Sequence, residues 1–223
     1  MAQALQARDW SFRDRYLEVL ASVYLYNEHR GYTALDRVLE AVRARCPDDH
    51  AFIAAIEKHR RDEKKHYTMF RRWFEHRGTM PLALDRSVGL IDRFIFKAFG
   101  CEIDALDTAG VVADGGAFEK LCRVIVLTEQ RGLRQVEILL ANRFVLSDSL
   151  LTRIFTVIHR DEPDHFLPYE GWLQREGRTP ACWQERWTDF WIHRRLLFAK
   201  IPAIFLDAGL PRMEQWPHER DGE

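Results

Sequence analysis

One stretch of this chain is written twice. Arg61, Asp62, Glu63, His66, Trp73, Gly78 and Pro81 recur 99 residues later as Arg160, Asp161, Glu162, His165, Trp172, Gly177 and Pro180. Seven identities in 21 positions far exceed chance, so the two stretches read as copies of one unit. A second echo lies upstream at an offset of 101, where Glu28, Arg30 and Gly31 return as Glu129, Arg131 and Gly132. The fold therefore has to accommodate two similar halves.

Each half reads as helical. Apolar residues recur at three- and four-residue intervals, as in Leu20, Val23, Tyr24, Leu35, Val38, Leu39 and Val42, and again in Leu121, Val124, Ile125, Leu133, Val136, Leu139 and Leu140. No stretch sustains the alternation of a strand. The pattern predicts an all-α fold with long helices over 9–45, 49–77, 115–146, 149–176 and 182–207, and a shorter apolar helical segment around 86–107. Asp48 or Asp49, and Ser147 or Asp148, are N-cap candidates. The expectation is a single domain over 1–223, with a bundle core at about 10–177 and a C-terminal helical extension at about 181–210.

Composition narrows the partners. Lys plus Arg number 33 against 34 Asp plus Glu, and a net charge of -1 gives no drive toward nucleic acid. Cys46, Cys101, Cys122 and Cys182 form no Cys-x-x-Cys pair, which argues against a zinc ribbon or rubredoxin-type centre and suits a reducing compartment. No apolar run approaches the roughly 20 residues that span a bilayer, and Met1 to Leu5 lacks the pattern of a secretion signal. The expected location is cytoplasmic, or peripheral to the inner face of the membrane.

The repeated residues carry the chemistry. If the turn at Pro47-Asp48-Asp49 folds the first two helices antiparallel, Glu28 and Glu63 come level, because similar numbers of residues separate each from the loop at about 1.5 Å per residue. His66, three residues after Glu63, shares its face. Glu129, Glu162 and His165 repeat the arrangement about Ser147-Asp148. Six side chains then meet at one level of a four-helix bundle: Glu28, Glu63, His66, Glu129, Glu162 and His165. Four carboxylates facing a core are costly unless paired or metal-bound. Two divalent cations cancel their charge, and oxygen and imidazole donors without thiolate favour iron or manganese.

With one Glu on each of two helices and Glu-x-x-His on each of the other two, this set resembles the ligands of the ferritin-like di-iron carboxylate superfamily. That superfamily includes ribonucleotide reductase small subunits, bacterial monooxygenases, rubrerythrins and quinone-modifying hydroxylases. The resemblance covers about residues 10–177 and implies a ferritin-like four-helix bundle, with an apolar crossover helix between helices 2 and 3 and an additional C-terminal helix. It implies two Fe ions, or a Mn/Fe pair, with Glu63 and Glu162 bridging at the reacting centre and Glu28 and Glu129 as terminal ligands. Asp62 and Asp161 would each orient a histidine of the opposite helix pair through its outer ring nitrogen. Pro163 inside the second motif, which should bend or widen that turn, departs from the pattern. So does Asp-Glu in place of the Glu-Glu of some relatives. Neither classical rubrerythrin nor a self-sufficient reductase fits.

Other features carry two readings each. His59 and His159, one turn before the motif glutamates, are candidates for a third histidine ligand similar to that of some arylamine oxygenases, or are outlying histidines. Gly31 and Gly132 either open space beside the metals or allow close helix crossing. Tyr24 and Tyr32 flank Glu28 as core residues or redox partners, and Trp73 and Trp172 read as duplicated core or as electron-transfer residues. The segments 82–99 and 190–206 mix Phe, Trp, Ile and Leu with Arg and Lys, which suits a covering helix, a homodimer face, a substrate entrance or contact with a membrane surface.

The expected activity is that of a non-haem di-iron oxidoreductase. It would activate O2 and oxidise a small, hydrophobic organic substrate held near the first and third bundle helices, supplied by an external electron donor. Ferroxidase or peroxidase activity, a demethoxyubiquinone-hydroxylase-like reaction at the membrane surface, and a non-enzymatic metal-binding scaffold are the competing expectations.

Overall fold

The computed structural model describes residues 11–217, where all regular structure is helical apart from one isolated antiparallel bridge between Leu82 and Arg212. The expected helix start at residue 9 and the Met1 to Leu5 stretch lie outside the described residues. Helix α1 (Phe12–Arg45) begins at Ser11, whose hydroxyl accepts from the Asp14 amide at 3.0 Å. The chain turns at Cys46, and Asp49 caps α2 (His50–His76) by accepting from the Phe52 amide. Helices α1 and α2 pack along most of their length. Gly78 stops the second helix at φ 61°, and its repeat counterpart Gly177 stops the fourth long segment at φ 64°. This left-handed backbone explains why glycine recurs there.

Three connecting features differ from the expectation. The apolar segment contracts to α3 (Leu90–Phe99), bounded by Gly89 and by Gly100 at φ 74°, with tight turns at Arg86–Val88 and Ile103–Ala105. A short α4 (Thr108–Ala113) leads into α5 (Gly115–Leu140). That helix ends earlier than the expected residue 146, because the Asn142 side chain accepts from the Phe144 and Val145 amides and starts α6 (Arg143–Leu146). The expected helix 149–176 is divided into α7 (Ser149–Asp161) and α8 (Pro163–Arg175). Pro163 has no amide to donate to the carbonyl four residues back. Glu162 between them keeps helical angles, φ -51° and ψ -40°.

The C-terminal segment is α9 (Trp183–Arg195), a π-helical turn (Leu196–Lys200) and α10 (Ile201–Leu206) in place of one helix over 182–207. Buried Arg15 fastens it to α1 by donating to the carbonyls of Ile204, Phe205 and Asp207 at 2.6, 3.1 and 2.6 Å. Pro211 and Met213 bond the backbone of Ala83 and Pro81. On its outer face α9 exposes Trp183, Trp187, Phe190 and Trp191, and Arg194 lies over Phe190 and Phe198. No helix among the described residues is long and apolar enough to cross a membrane.

Helix α5 packs on α7 and α8, and α2 packs on both, which joins the halves. Two large apolar clusters fill most of the interior of the described residues, and a third, smaller one joins Val19 and Val23 to Leu82 under the C-terminal segment. Of the two large clusters, one gathers Leu35, Val42, Ile56, Phe118, Ile125 and Tyr169, and the other Leu17, Leu25, Phe70, Trp73, Phe155 and Ile158. On every long helix the switch from one cluster to the other falls at the repeated Glu or Glu-x-x-His. The duplicated tryptophans are core residues, and Trp73 donates its indole N–H to Asp148 at 3.1 Å. Asp148 also caps α7 through the Leu151 amide. Asp148→Ala removes both bonds, so it should cost about 2–4 kcal/mol in urea unfolding, whereas Asp49→Ala, which removes a cap and an exposed ion pair, should cost about 1 kcal/mol.

Candidate metal centre

Between the two apolar clusters lies a single polar layer. Glu28, Glu63, Glu162, His59, His66 and His165 are buried, and Glu129 nearly so. The donor atoms of Glu28, Glu63 and His66 lie within 4.8 Å of one another, and so do those of His59, Glu63, Glu129 and His165. Glu63 belongs to both groups, which is the position of a bridging carboxylate. Its Oε1 is 3.3 Å from His165 Nδ1, 3.8 Å from His59 Nε2 and 4.0 Å from His66 Nδ1. Glu28 Oε2 lies 3.3 Å from His66 Nδ1, and Glu162 Oε2 lies 3.7 Å from His165 Nδ1. Five of the six residues expected from the repeat thus fall into these two groups together with His59, whose ring stacks on that of His165 at 4.1 Å, whereas Glu162, expected as a second bridge, lies beside His165 outside both.

His159 is not brought there. It sits near the surface, 3.9 Å from Glu137 Oε1. It precedes its motif glutamate by three residues where His59 precedes Glu63 by four, and the position that matches His59 in the repeat is the core residue Ile158. One residue of offset turns a helical side chain by about 100°.

The outer ring nitrogens face the two aspartates. His66 Nε2 donates to Asp161 Oδ2 at 3.1 Å, and His165 Nε2 is 3.7 Å from Asp62 Oδ2. Each aspartate comes from the opposite half. Lys65 joins them, 2.5 Å from Asp62 and 2.7 Å from Asp161, and Lys58 contacts Asp62 at 2.6 Å and Asp164 at 3.1 Å. Burial works against charge on both aspartates, but the nearby His165 ring with hydrogen bonds from Lys58 and Lys65 to Asp62, and hydrogen bonds from His66, Lys65 and Arg160 to Asp161, hold both carboxyls well below the usual range. With Asp161 ionised, the His66 proton sits on Nε2 and Nδ1 faces the cluster. Lys65 stood inside the repeated stretch and Lys58 just before it, but their role was not legible because their repeat counterparts are different residues.

The repeated glycines have a specific use. A Cβ on Gly31 would overlap Glu63 Oε2, and one on Gly132 would lie 3.2 Å from Glu162 Oε1. Each glycine is the surface on which the carboxylate of the partner helix in the same half rests, so neither helix crossing nor open space alone accounts for them. Gly31→Ala should displace Glu63 and weaken divalent-metal binding at least about tenfold in competition titrations, with a smaller loss for Gly132→Ala.

Several buried donor atoms have no hydrogen-bond partner among the described residues: Glu162 Oε2, both ring nitrogens of His59 and His165, and His66 Nδ1. Burial and then the charges of the neighbouring glutamates push the carboxyls of Glu63 and Glu162 well up, and burial with Glu28 raises Glu129 to about 8. Burial lowers His59 and His165, while for His66 the hydrogen bond to Asp161 and the nearby Glu28 carboxylate overcome burial and raise it. Without a cation, these shifts favour protons on the layer's carboxyls. Unpartnered lone pairs and an excess of buried carboxylates suit divalent cations.

A consequence is an inverted pH response. The raised glutamates and His66 stabilise the metal-free fold at low pH, and that contribution disappears as pH rises through their folded values. The lowered histidines act oppositely, but above pH 7 they are largely neutral in both states. The metal-free melting temperature should fall by at least about 3 °C between pH 7 and 9, the shift that about 1 kcal/mol produces in a chain this long. Scanning calorimetry should show saturating divalent metal reversing the trend, since metal replaces those protons.

A cavity of about 350 Å³ opens onto this layer between α1 and α5, and α3 and the C-terminal segment cover it. Glu28, Glu63, Glu129 and Glu162 form its polar end, and Leu20, Val23, Leu35, Leu90, Leu196 and Ile201 are among its apolar walls. Tyr24 lines it and packs edge-on to Phe155, and Tyr32 lies in a cluster with His29 and Tyr67. The comparisons add no identity: no family model, curated protein or solved structure matches the chain.

Proposed function

We propose that the protein is a ferritin-like di-metal oxidoreductase that uses O2 to oxidise an apolar organic substrate. The observation that carries this is the joint presence of two donor groups sharing Glu63 and an apolar cavity ending on them. Glu28, Glu63 and His66 would hold one ion and Glu63, Glu129, His165 and His59 the other, with Glu162 beside His165. Oxygen and imidazole donors suit iron or a manganese-iron pair, which supplies two-electron redox chemistry with O2.

The chain's own residues do the rest. Asp161 and Asp62 fix the imidazoles of His66 and His165, and Lys58 and Lys65 keep those aspartates ionised. Gly31 and Gly132 make room for the carboxylates of Glu63 and Glu162. The apolar walls exclude water and hold the substrate beside the cluster. With only helices among the described residues, electrons would come from an external donor. The apolar approach disfavours ferroxidase or iron-entry chemistry, which needs a carboxylate-lined path. A substrate drawn from a membrane surface, as in quinone hydroxylation, is the second reading, supported by the exposed aromatic and basic face of α9.

Anaerobic loading with Fe(II), metal analysis and stopped-flow absorbance on admitting O2 test the proposal. About two irons per chain and an optical change whose decay is accelerated by an apolar substrate are expected, and Glu63→Ala and His165→Ala should each lose metal. Fewer than one iron per chain, or no optical response, would leave only a helical scaffold.

A further inference from the structure

The two halves differ at the arginine that follows each terminal glutamate by two residues. Arg30, in the first half, is held by two carboxylates: its Nε and Nη2 bond Asp92 at 3.0 and 2.6 Å, and Nη2 also bonds Asp104 at 3.0 Å. Its counterpart Arg131 donates only Nε, to Asp189 of α9 at 2.8 Å. Arg131 is 7% exposed, lines the cavity, and both of its terminal nitrogens lack a hydrogen-bond partner among the described residues. Among the cavity's other polar side chains, Gln135 bonds His193, Thr128 bonds the Val124 carbonyl, and Asn27 bonds the Leu90 amide and the Val23 and Val88 carbonyls, while the Arg131 charge acts on Glu129 and Glu162 without a hydrogen bond to either.

A guanidinium nine-tenths buried with two parallel donors unsatisfied is costly, and a planar fork of N–H groups is the geometric complement of a carboxylate. We infer that Arg131 is the anchor for a carboxylate on the substrate. The substrate class is thus an amphipathic acid, its carboxylate on Arg131 and its apolar body along the Leu and Val walls. This rests on the oxidoreductase reading for the word substrate, but the binding site itself does not need metal. The ion pair with Asp189 sets the guanidinium plane and ties the anchor to the helix that covers the cavity.

Calorimetric titration of the full chain with octanoate, octan-1-ol and octylamine, metal-free and Fe(II)-loaded without O2, tests it. Octanoate should bind at least about tenfold more tightly than octan-1-ol in both forms, with octylamine weakest. Arg131→Gln should bring octanoate down to octan-1-ol while leaving octan-1-ol binding and iron content unchanged. Should that variant fail to fold, Arg131→Lys, which keeps the charge but not the fork, should lose at least about threefold of the preference. No preference in the wild type, a preference that survives in Arg131→Gln, or one that is undiminished in Arg131→Lys, overturns the inference. A preference present only in the iron-loaded form and retained by Arg131→Gln also overturns it, since the acid would then sit on iron. Absence of bound iron with the octanoate preference intact would sink the oxidoreductase reading and leave an acid-binding protein.

Discussion

Four glutamates buried at one level of a helical interior are the constraint on which everything else depends. Left ionised and unpaired, such a layer would unfold a chain of this size, since the desolvation cost of each charge is several kcal/mol against a total stability of about 5–15 kcal/mol. The protein confines the cost to a single layer. Apolar clusters close it on both sides, imidazoles and protons share it, and two aspartates with their lysines sit just behind it. The strained arrangement is retained at the place where chemistry would require it, and the rest of the interior is ordinary close packing.

Much of this was legible in the chain because it is written twice. Six carboxylate and imidazole donors, the helical class, the antiparallel turns at Asp49 and Asp148, and the disruption at Pro163 all follow from spacing and from the chemistry of single residue types. What was not legible depends on side chains meeting across elements. His59 and His159 look equivalent in sequence, and only the register of each helix sends one into the layer and the other to the surface. The apolar segment after α2 reads longer than α3 because hydrophobicity does not show where Gly100 reverses the chain. Arg15, far from α10 in sequence, ties it to α1 through three carbonyls that no periodicity can reveal.

The cavity follows from an imbalance between the halves. Within each half the helices pack closely, and α2 meets α7 and α8, whereas α1 and α5 stand apart with the cavity between them. The C-terminal segment and α3 then serve as a cover, which explains why part of their apolar surface points inward. Of the two arginines duplicated with the terminal glutamates, one was absorbed by the acidic residues of the crossover segment and one faces the space that remained. Duplication supplied equivalent positions, and different coverings gave them different work.

The lysines behind the glutamate layer carry one further implication, for how the halves recognise each other. Lys65 occupies the repeat position that is Asp164 in the second half, and Lys58 the position that is Val157. A pairing of two first halves would set Lys58 against another Lys65, and a pairing of two second halves would set Asp161 against another Asp164. Either arrangement places like charges where the native fold has Lys58 with Asp164 and Lys65 with Asp161. The same groups that hold the imidazoles thus discriminate against self-association of like halves, a guard against domain-swapped assemblies that a nearly symmetric duplicated chain would otherwise invite.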